Sequence, residues 1–183
     1  MRVPNAAPDV VLRVLDAGAQ GIVVPHVRNR EEAELAVSSA RYYPLGTRGI
    51  AGGRPTGFGT LALRPYLELA NRELMVVAMI EDKEGVDAVE DIVAVPGIDM
   101  VLEGAIDLSQ SFGVPTDAQH PLVQTAIAHI ARVCKARRVP FCAIPRAEGQ
   151  YEHWRAQGVN AFLLGDDRAA AFRAMKQMLA SPI

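Results

Sequence analysis

Short runs of apolar, often β-branched residues alternate along the chain with longer stretches in which apolar residues recur every three or four positions. Runs of the first kind predict strands that are buried on both faces, because nearly all of their side chains are apolar. Stretches of the second kind predict amphipathic helices that cover a sheet. The predicted strands are residues 21–25, 75–80, 99–102, 141–144 and 161–164.

Two of the helical stretches have recognisable ends. Asn29 is a suitable N-cap for a helix that runs to Ala40, and Glu32 stands three residues later, where a capping box requires an acid. Pro121 suits the first turn of a second helix that extends to Arg137. The chain therefore alternates strands with helices, which is typical of a parallel sheet.

This alternation fits either an open doubly wound sheet or a closed (β/α)8 barrel. The barrel is favoured, because no predicted strand is followed by the G-x-G-x-x-G turn of a dinucleotide-binding fold. A complete barrel has about 250 residues, whereas this chain has 183. We therefore expect an α/β TIM barrel that is incomplete at its N-terminus, with five to six of the eight βα units forming a single domain over residues 1–183. Residues 2–4 would be the tail of the sixth strand.

Composition excludes several classes of protein. The net charge is −2, the pI is near 6.1, and no run of basic residues suggests nucleic-acid binding. No apolar stretch approaches the roughly 20 residues of a membrane span, and the first residues do not resemble a secretory signal. Cys134 and Cys142 have neither metal-site nor disulfide spacing. These features predict a cytoplasmic protein with no membrane or nucleic-acid partner.

Acidic side chains follow two consecutive predicted strands, at the end of a barrel where reactive groups lie. Glu81 follows the second strand, and Asp107 lies just after the third. Mg²⁺ often takes only one or two protein carboxylates and leaves other positions to water and substrate. A 2-oxo acid could occupy two of these positions, and the metal would then stabilise its enolate. Arg2, at the end of a neighbouring strand, is suited to polarise the keto oxygen.

For other polar residues the sequence leaves two roles open. His26 is either a proton-transfer group or a packing residue, and Glu103 either binds metal or substrate or faces outward from its strand. Arg48 and Arg54 could bind a distal substrate carboxylate or lie on the surface.

Lys83, just beyond Glu81, keeps a Schiff-base mechanism open. Asp107 could instead be a helix N-cap and Glu81 a solvated acid.

An ordered set of motifs covers essentially the whole chain. They are residues 2–4 (RVP), 15–25 (LDAGAQGIVVP), 41–49 (RYYPLGTRG), 80–81 (IE), 104–109 (GAIDLS) and 165–167 (GDD). Each motif alone is weak evidence, but the set in this order resembles the HpcH/HpaI aldolase family.

The resemblance implies an oligomeric (β/α)8 barrel that catalyses metal-dependent, reversible aldol cleavage. The products would be pyruvate or a related 2-oxo acid and an aldehyde or acyl partner. Glu81 and Asp107 match the family's metal ligands, with Mg²⁺, Mn²⁺ or Co²⁺ as the ion, and Arg2 matches its keto-oxygen arginine. The backbone N–H groups of Ile106 and Asp107 match those that hold the substrate carboxylate.

Several departures from the family pattern leave the substrate open. The Asp-Gly-Glu-His segment with the proton-transfer histidine is missing, Met79 replaces a common glutamine, and Glu103 adds a carboxylate. A related branch forms citrate from oxaloacetate and an acetyl-type donor for siderophore assembly, and this is an alternative function. A second alternative, of another class, is a catalytically silent barrel fragment that serves in binding or assembly.

Overall fold

Strands and helices alternate throughout residues 1–180, the part of the chain that this computed structural model describes. This arrangement confirms the predicted α/β class. In chain order the elements are α1 Pro8–Asp16, β1 Gly21–Val24, α2 Arg30–Ala40, a 3-10 helix Arg54–Gly59, α3 Leu63–Glu73, β2 Met75–Ile80, α4 Lys83–Asp87, α5 Val89–Val93, β3 Met100–Glu103, α6 Ala105–Ser111, α7 Pro121–Arg137, β4 Phe141–Ala143, α8 Gln150–Ala156, β5 Ala161–Phe162 and α9 Asp167–Ala180.

The chain forms two compact units, Met1–Phe141 and Cys142–Ile183. In the first unit, β1 pairs with β2 and β2 pairs with β3, all in parallel. In the second unit, β4 pairs in parallel with β5, with Cys142 opposite Ala161. The prediction of a single domain over residues 1–183 is not tested by this division and stays a prediction.

All five predicted strands are present, with ends that differ by one or two residues. The predicted sixth strand is present as a short segment in which Arg2 forms a parallel bridge with Val23. Val3 donates its N–H to the Val23 carbonyl oxygen at 3.0 Å, so Arg2 is held beside β1. The apolar run of β2 is buried from its second residue onward, as expected for a strand with elements packed on both faces.

Both predicted helix signals are also present. The Asn29 side chain accepts the Glu32 N–H at 2.8 Å at the start of α2. In the predicted capping box the Glu32 side chain would accept the N–H of Asn29. Instead, its carboxylate accepts the N–H of Arg28, one residue earlier, at 2.7 Å. Helix α7 spans Pro121–Arg137 as predicted.

The amino-terminal ends of β2 and β3 are held by partly buried polar contacts. The Arg41 guanidinium donates to the Asp99 carboxylate at 2.9 Å, and the same carboxylate oxygen accepts the Val76 N–H at 2.7 Å. Asn71, near the end of α3, exchanges two hydrogen bonds with the backbone of Tyr42. These contacts anchor the helices at one edge of the strands, and the loops at the opposite, carboxyl edge form the candidate site.

Within residues 1–180, no helix combines the length and the apolar composition needed to cross a membrane.

Candidate active site

The loops that follow β1, β2 and β3 meet at the carboxyl edge of the first unit. The parallel register places Val24 opposite Ala78 and Ile80 opposite Glu103, so the three strands end at nearly the same level. His26, Glu81 and the start of α6 come directly after these strand ends. The sequence predicted this meeting of side chains from strand order alone.

Glu81 is almost fully buried, with only 1% of its side chain exposed. Its Oε1 atom accepts the backbone N–H of His26 at 3.1 Å. Among the residues that the structure describes, no donor reaches the buried Oε2 atom. A buried carboxylate oxygen without a partner is costly unless a ligand satisfies it.

The Asp107 carboxylate lies close enough to Glu81 to influence its ionisation. Burial raises the pKa of the Glu81 carboxyl above its ordinary value, the His26 side chain and N–H act in the opposite direction, and the Asp107 carboxylate raises it further. Two acids that face one space repel each other unless a proton or a cation lies between them. The pair and the unpartnered Oε2 atom therefore fit a divalent cation.

A cavity of about 370 Å³ opens in front of these carboxylates. Its lining comprises Arg2, Val3, Pro4, Pro25, His26, Glu81 and Asp107. Within residues 1–180, no three His, Cys, Asp or Glu side chains are grouped so that they could hold a metal ion. Two carboxylates suffice for Mg²⁺, which usually keeps several waters or substrate oxygens.

His26 touches both acids that follow β2. Its Nδ1 atom lies 2.9 Å from Asp82 Oδ2, and its Nε2 atom lies 3.6 Å from Glu81 Oε1. The residue has a left-handed backbone, with φ of 53°, which is uncommon for a residue other than glycine. Nearly half of the ring is exposed, so hydrogen bonds rather than packing define its position.

A second cavity of about 470 Å³ shares His26 and Asp107 with the first. It is also lined by five residues that were not among the predicted site residues: Arg28, Asp82, Glu84, Gln110 and Ser111. The Arg28 Nε atom lies 3.2 Å from Asp82 Oδ2. Asp82 could have been noticed from its position directly after Glu81, whereas the sequence holds no signal that joins Arg28 to it.

The structure brings Arg2, His26, Glu81 and Asp107 together around one cavity, but it orients Glu103 differently. Glu103 is buried and its Oε2 atom accepts the N–H of Ala105 at 2.9 Å, at the start of α6. Glu103 lines neither cavity. The side chain is only 2% exposed, so Glu103 is not a solvated residue, and its predicted roles stay predictions.

Ile106 and Asp107 occupy the first turn of α6, where backbone N–H groups lack partners within the helix. Lys83 is exposed at the first position of α4, and its backbone N–H donates to the Ser111 hydroxyl oxygen at 2.9 Å. Lys83 lines neither cavity, so the geometry favours the carboxylate pair over a lysine mechanism.

Arg48 lies at the opposite edge of the strands. The backbone N–H of Arg48 donates to the carbonyl oxygen of Arg41. The Arg41 guanidinium in turn contacts Asp99, which lies immediately before β3. The fully buried guanidinium donates to Asp16 at 2.7 Å and stacks 4.6 Å from the centre of the Tyr42 ring. This placement does not bring Arg48 to the carboxylates and argues against its predicted contact with substrate.

Arg54 also lies away from the carboxyl edge. A Cβ atom added at Gly18, just before β1, would come within 3.1 Å of the Arg54 side chain. Arg48 and Arg54 both lie near the amino-terminal ends of strands. Their positions therefore do not support the predicted contacts with a distal carboxylate of the substrate.

Parallel strands whose carboxyl edge carries two acids in one cavity are the arrangement of an active site in an α/β enzyme. A model of the HpcH/HpaI aldolase/citrate lyase family matches residues 1–174, and the chain belongs to that family. The 5-keto-4-deoxy-D-glucarate aldolase of Escherichia coli K12 is 36% identical over 98% of this chain and 70% of its own length.

Two solved structures are also similar to this chain over nearly its whole length. Citrate synthase SbnG is 44% identical with a TM-score of 0.83, and the match covers 98% of this chain and 69% of SbnG. A family member from Burkholderia cenocepacia J2315 is 34% identical with a TM-score of 0.86, over 98% of this chain and 71% of that one. The comparisons confirm the predicted family, the α/β fold class and a lyase of the aldolase type that acts on small molecules.

Proposed function

We propose that this chain is a metal-dependent aldolase that cleaves or forms a carbon–carbon bond beside the keto group of a 2-oxo acid. The single observation that supports the metal dependence most strongly is the buried, unpartnered Oε2 atom of Glu81 in a residue that shares its cavity with a second acid, Asp107. We infer that these two side chains hold the cation, with Mg²⁺ preferred and Mn²⁺ or Co²⁺ as substitutes. When bound, the cation supplies positive charge that stabilises a developing enolate.

The remaining residues of the cavity have complementary roles. Arg2 donates hydrogen bonds to the keto oxygen and so favours the transition state in which negative charge develops there. The N–H groups of Ile106 and Asp107, in the first turn of α6, hold the substrate carboxylate. Cleavage breaks the C3–C4 bond, converts the C4 hydroxyl to a carbonyl and returns a proton to C3.

His26 is the proton-transfer candidate of this chain. Its Nδ1 atom is held by Asp82 at 2.9 Å, which leaves Nε2 as the nitrogen that can accept or deliver a proton. Because this ring lines the same cavity as Arg2 and the two acids, it can reach a substrate bound there. We also propose that the protein is cytoplasmic, as its composition predicts, and homo-oligomeric, as the family resemblance predicts.

Proton exchange into pyruvate tests this function without knowledge of the aldehyde partner. With Mn²⁺ or Mg²⁺ in deuterium oxide, the pyruvate methyl signal in proton NMR should decline with time. EDTA should stop the exchange, and Glu81→Gln should slow it more than about 100-fold, since it removes a metal ligand. Asp87→Asn, at an exposed acid of α4 that lines neither cavity, is the matched control and should exchange normally.

Exchange that survives complete removal of metal would contradict the proposal. Borohydride trapping of pyruvate on the protein would then point to Lys83. If the protein neither binds Mn²⁺, nor exchanges pyruvate, nor releases thiol from an acetyl thioester in the presence of oxaloacetate, the remaining hypothesis is a catalytically silent binding or assembly element.

A citrate-forming synthase is the second candidate, favoured by the 44% identity to citrate synthase SbnG. The test is incubation with oxaloacetate and an acetyl thioester, with release of free thiol as the measured signal. Thiol release that depends on oxaloacetate, together with slow pyruvate exchange, would favour this function over the aldolase.

A further inference from the structure

We propose that Asp82 is a positioning residue that controls the direction of the Glu81 carboxylate through His26. This inference rests on the proposed metal function of Glu81. Asp82 lines the neighbouring cavity together with His26 and Asp107, but it does not line the cavity in front of Glu81. Its influence on the cation would therefore be indirect and would pass through two hydrogen bonds.

The first of these hydrogen bonds occupies one oxygen of Glu81. The His26 N–H donates to Oε1 at 3.1 Å, and Oε2 is buried without a partner among the described residues. A carboxylate with one oxygen engaged in this way can rotate only by breaking that bond. The His26 N–H therefore decides which oxygen of Glu81 is available to a cation.

The His26 backbone that presents this N–H to Glu81 is left-handed, with φ of 53°. Side chains with a Cβ atom disfavour this conformation, so neighbouring contacts must maintain it. The ring is 46% exposed, which means that packing alone does not hold it. The second hydrogen bond, from Nδ1 to Asp82 Oδ2 at 2.9 Å, supplies the missing restraint.

The residues on either side of His26 are anchored independently of Asp82. Val27 donates its N–H to the Met79 carbonyl oxygen at 3.2 Å, and the Arg28 N–H donates to the Glu32 carboxylate at 2.7 Å. A Cβ atom at Gly85 would come within 2.6 Å of the Val27 carbonyl oxygen, so helix α4 lies directly against this segment. Loss of Asp82 should therefore change the His26 conformation without unfolding the loop.

The Arg28 side chain completes the arrangement. Its Nε atom lies 3.2 Å from the same Asp82 oxygen that contacts His26. Arg28 thus keeps the Asp82 carboxylate turned toward His26 and balances its charge. Partners of metal ligands that act in this way typically change metal affinity by about 10- to 100-fold when they are removed.

Binding of Mn²⁺ alone to the full chain, measured by calorimetric titration, tests the proposal without reference to activity. Asp82→Ala should weaken Mn²⁺ binding about tenfold. Asp82→Asn should retain most of the affinity, because its amide oxygen can still accept from Nδ1. Asp87→Ala removes an equal charge from α4 at an exposed residue that lines neither cavity, and it should change affinity less than about twofold.

Substitutions of His26 separate a backbone role from a side-chain role. His26→Gly accepts a left-handed backbone and keeps the N–H, so Mn²⁺ affinity should fall by no more than about threefold. His26→Val disfavours that backbone and should lose about tenfold. Adding Asp82→Ala to His26→Gly should have no further effect, because the contact between the two side chains is already absent.

The midpoint of thermal unfolding is measured for each variant in parallel. Equal losses of Mn²⁺ affinity in Asp82→Ala and Asp87→Ala would overturn the proposal, because charge alone would explain them. Equal affinities of His26→Gly and His26→Val would also overturn it. If the wild-type chain binds no Mn²⁺, or if Glu81→Gln binds as well as wild type, the proposed metal function fails together with this inference. Normal wild-type binding with an unaffected Asp82→Ala refutes the inference alone.

Discussion

Gly104 lies directly against the side chain of Glu81. A Cβ atom at Gly104 would come within 2.5 Å of the Glu81 Cβ atom and 2.6 Å of its Oε2 atom. Contacts this short do not occur between real side chains, so the Glu81 carboxylate occupies its position only because residue 104 has no side chain. The glycine at the start of α6 thus belongs to the candidate site, although it has no functional group.

Gly104→Ala should displace Glu81 from this position. We expect Mn²⁺ affinity to fall at least about tenfold, as when a metal ligand is disturbed, and the free energy of unfolding to fall by about 1–3 kcal/mol from overpacking. Calorimetric titration and urea unfolding measure the two effects. Gly52→Ala is the control, since no atom lies within 4 Å of its added Cβ atom. Unchanged metal affinity in Gly104→Ala would show that the Glu81 position does not matter for binding.

The raised pKa of Glu81 predicts a pH dependence of stability in the metal-free protein. Burial and the Asp107 carboxylate raise the pKa of this carboxyl in the folded chain, so the folded state holds its proton more tightly than the unfolded state. The stability that this tighter proton binding contributes is fully present below the ordinary glutamate pKa. It is lost as the pH rises through the raised pKa of Glu81 in the folded chain. The metal-free wild type should therefore lose stability over this window relative to Glu81→Gln.

The measurement is the midpoint of thermal unfolding of both proteins in EDTA across that pH range. Above that window, Glu81→Gln should unfold at a higher temperature than the wild type, because the variant has no side-chain proton to lose on unfolding. Added Mn²⁺ should raise the midpoint of the wild type but not that of the variant. A pH-independent difference between the two proteins would contradict the interpretation of Glu81.

Arg48→Ala tests whether the buried arginine is structural. It would leave the Asp16 carboxylate unpaired and remove the cation from the face of the Tyr42 ring, at a cost of about 2 kcal/mol in the free energy of unfolding. The KM of the folded variant should stay within about twofold of the wild-type value. Arg64→Ala is the control, since Arg64 is 91% exposed and its loss should cost under about 0.5 kcal/mol. A large rise in KM with normal stability would restore the predicted contact of Arg48 with substrate.

Cys134 should not react in the native protein. Burial raises the pKa of its thiol to about 12, so only on the order of one molecule in ten thousand carries a thiolate there at pH 8. Mass spectrometry after iodoacetamide treatment should find Cys134 unmodified in the native state and alkylated in urea. Rapid alkylation of Cys134 without denaturant would show that the packed face of α7 opens readily.

The predicted strands and the carboxylate pair depend on local sequence and strand order. Residues 75–80 are almost uniformly apolar, and such a run is stable only when buried on both faces. Glu81 directly follows that run, and Asp107 follows the next one after a single turn. Glu81 and Asp107 are 26 positions apart in the chain, but they line one cavity because parallel strands end at the same edge. The strands and the approach of the two acids could therefore be predicted from the sequence alone.

The sequence by itself therefore determined the α/β class, the order of the strands and the edge at which acids accumulate, because hydrophobic periodicity and strand direction are local properties. Only the tertiary structure decided how individual side chains are used. It turned Glu103 onto the N–H of Ala105, buried Arg48 against Asp16 at the far edge, and set Asp82 against His26. Those outcomes depend on backbone angles and on contacts between residues distant in sequence, which no local pattern specifies.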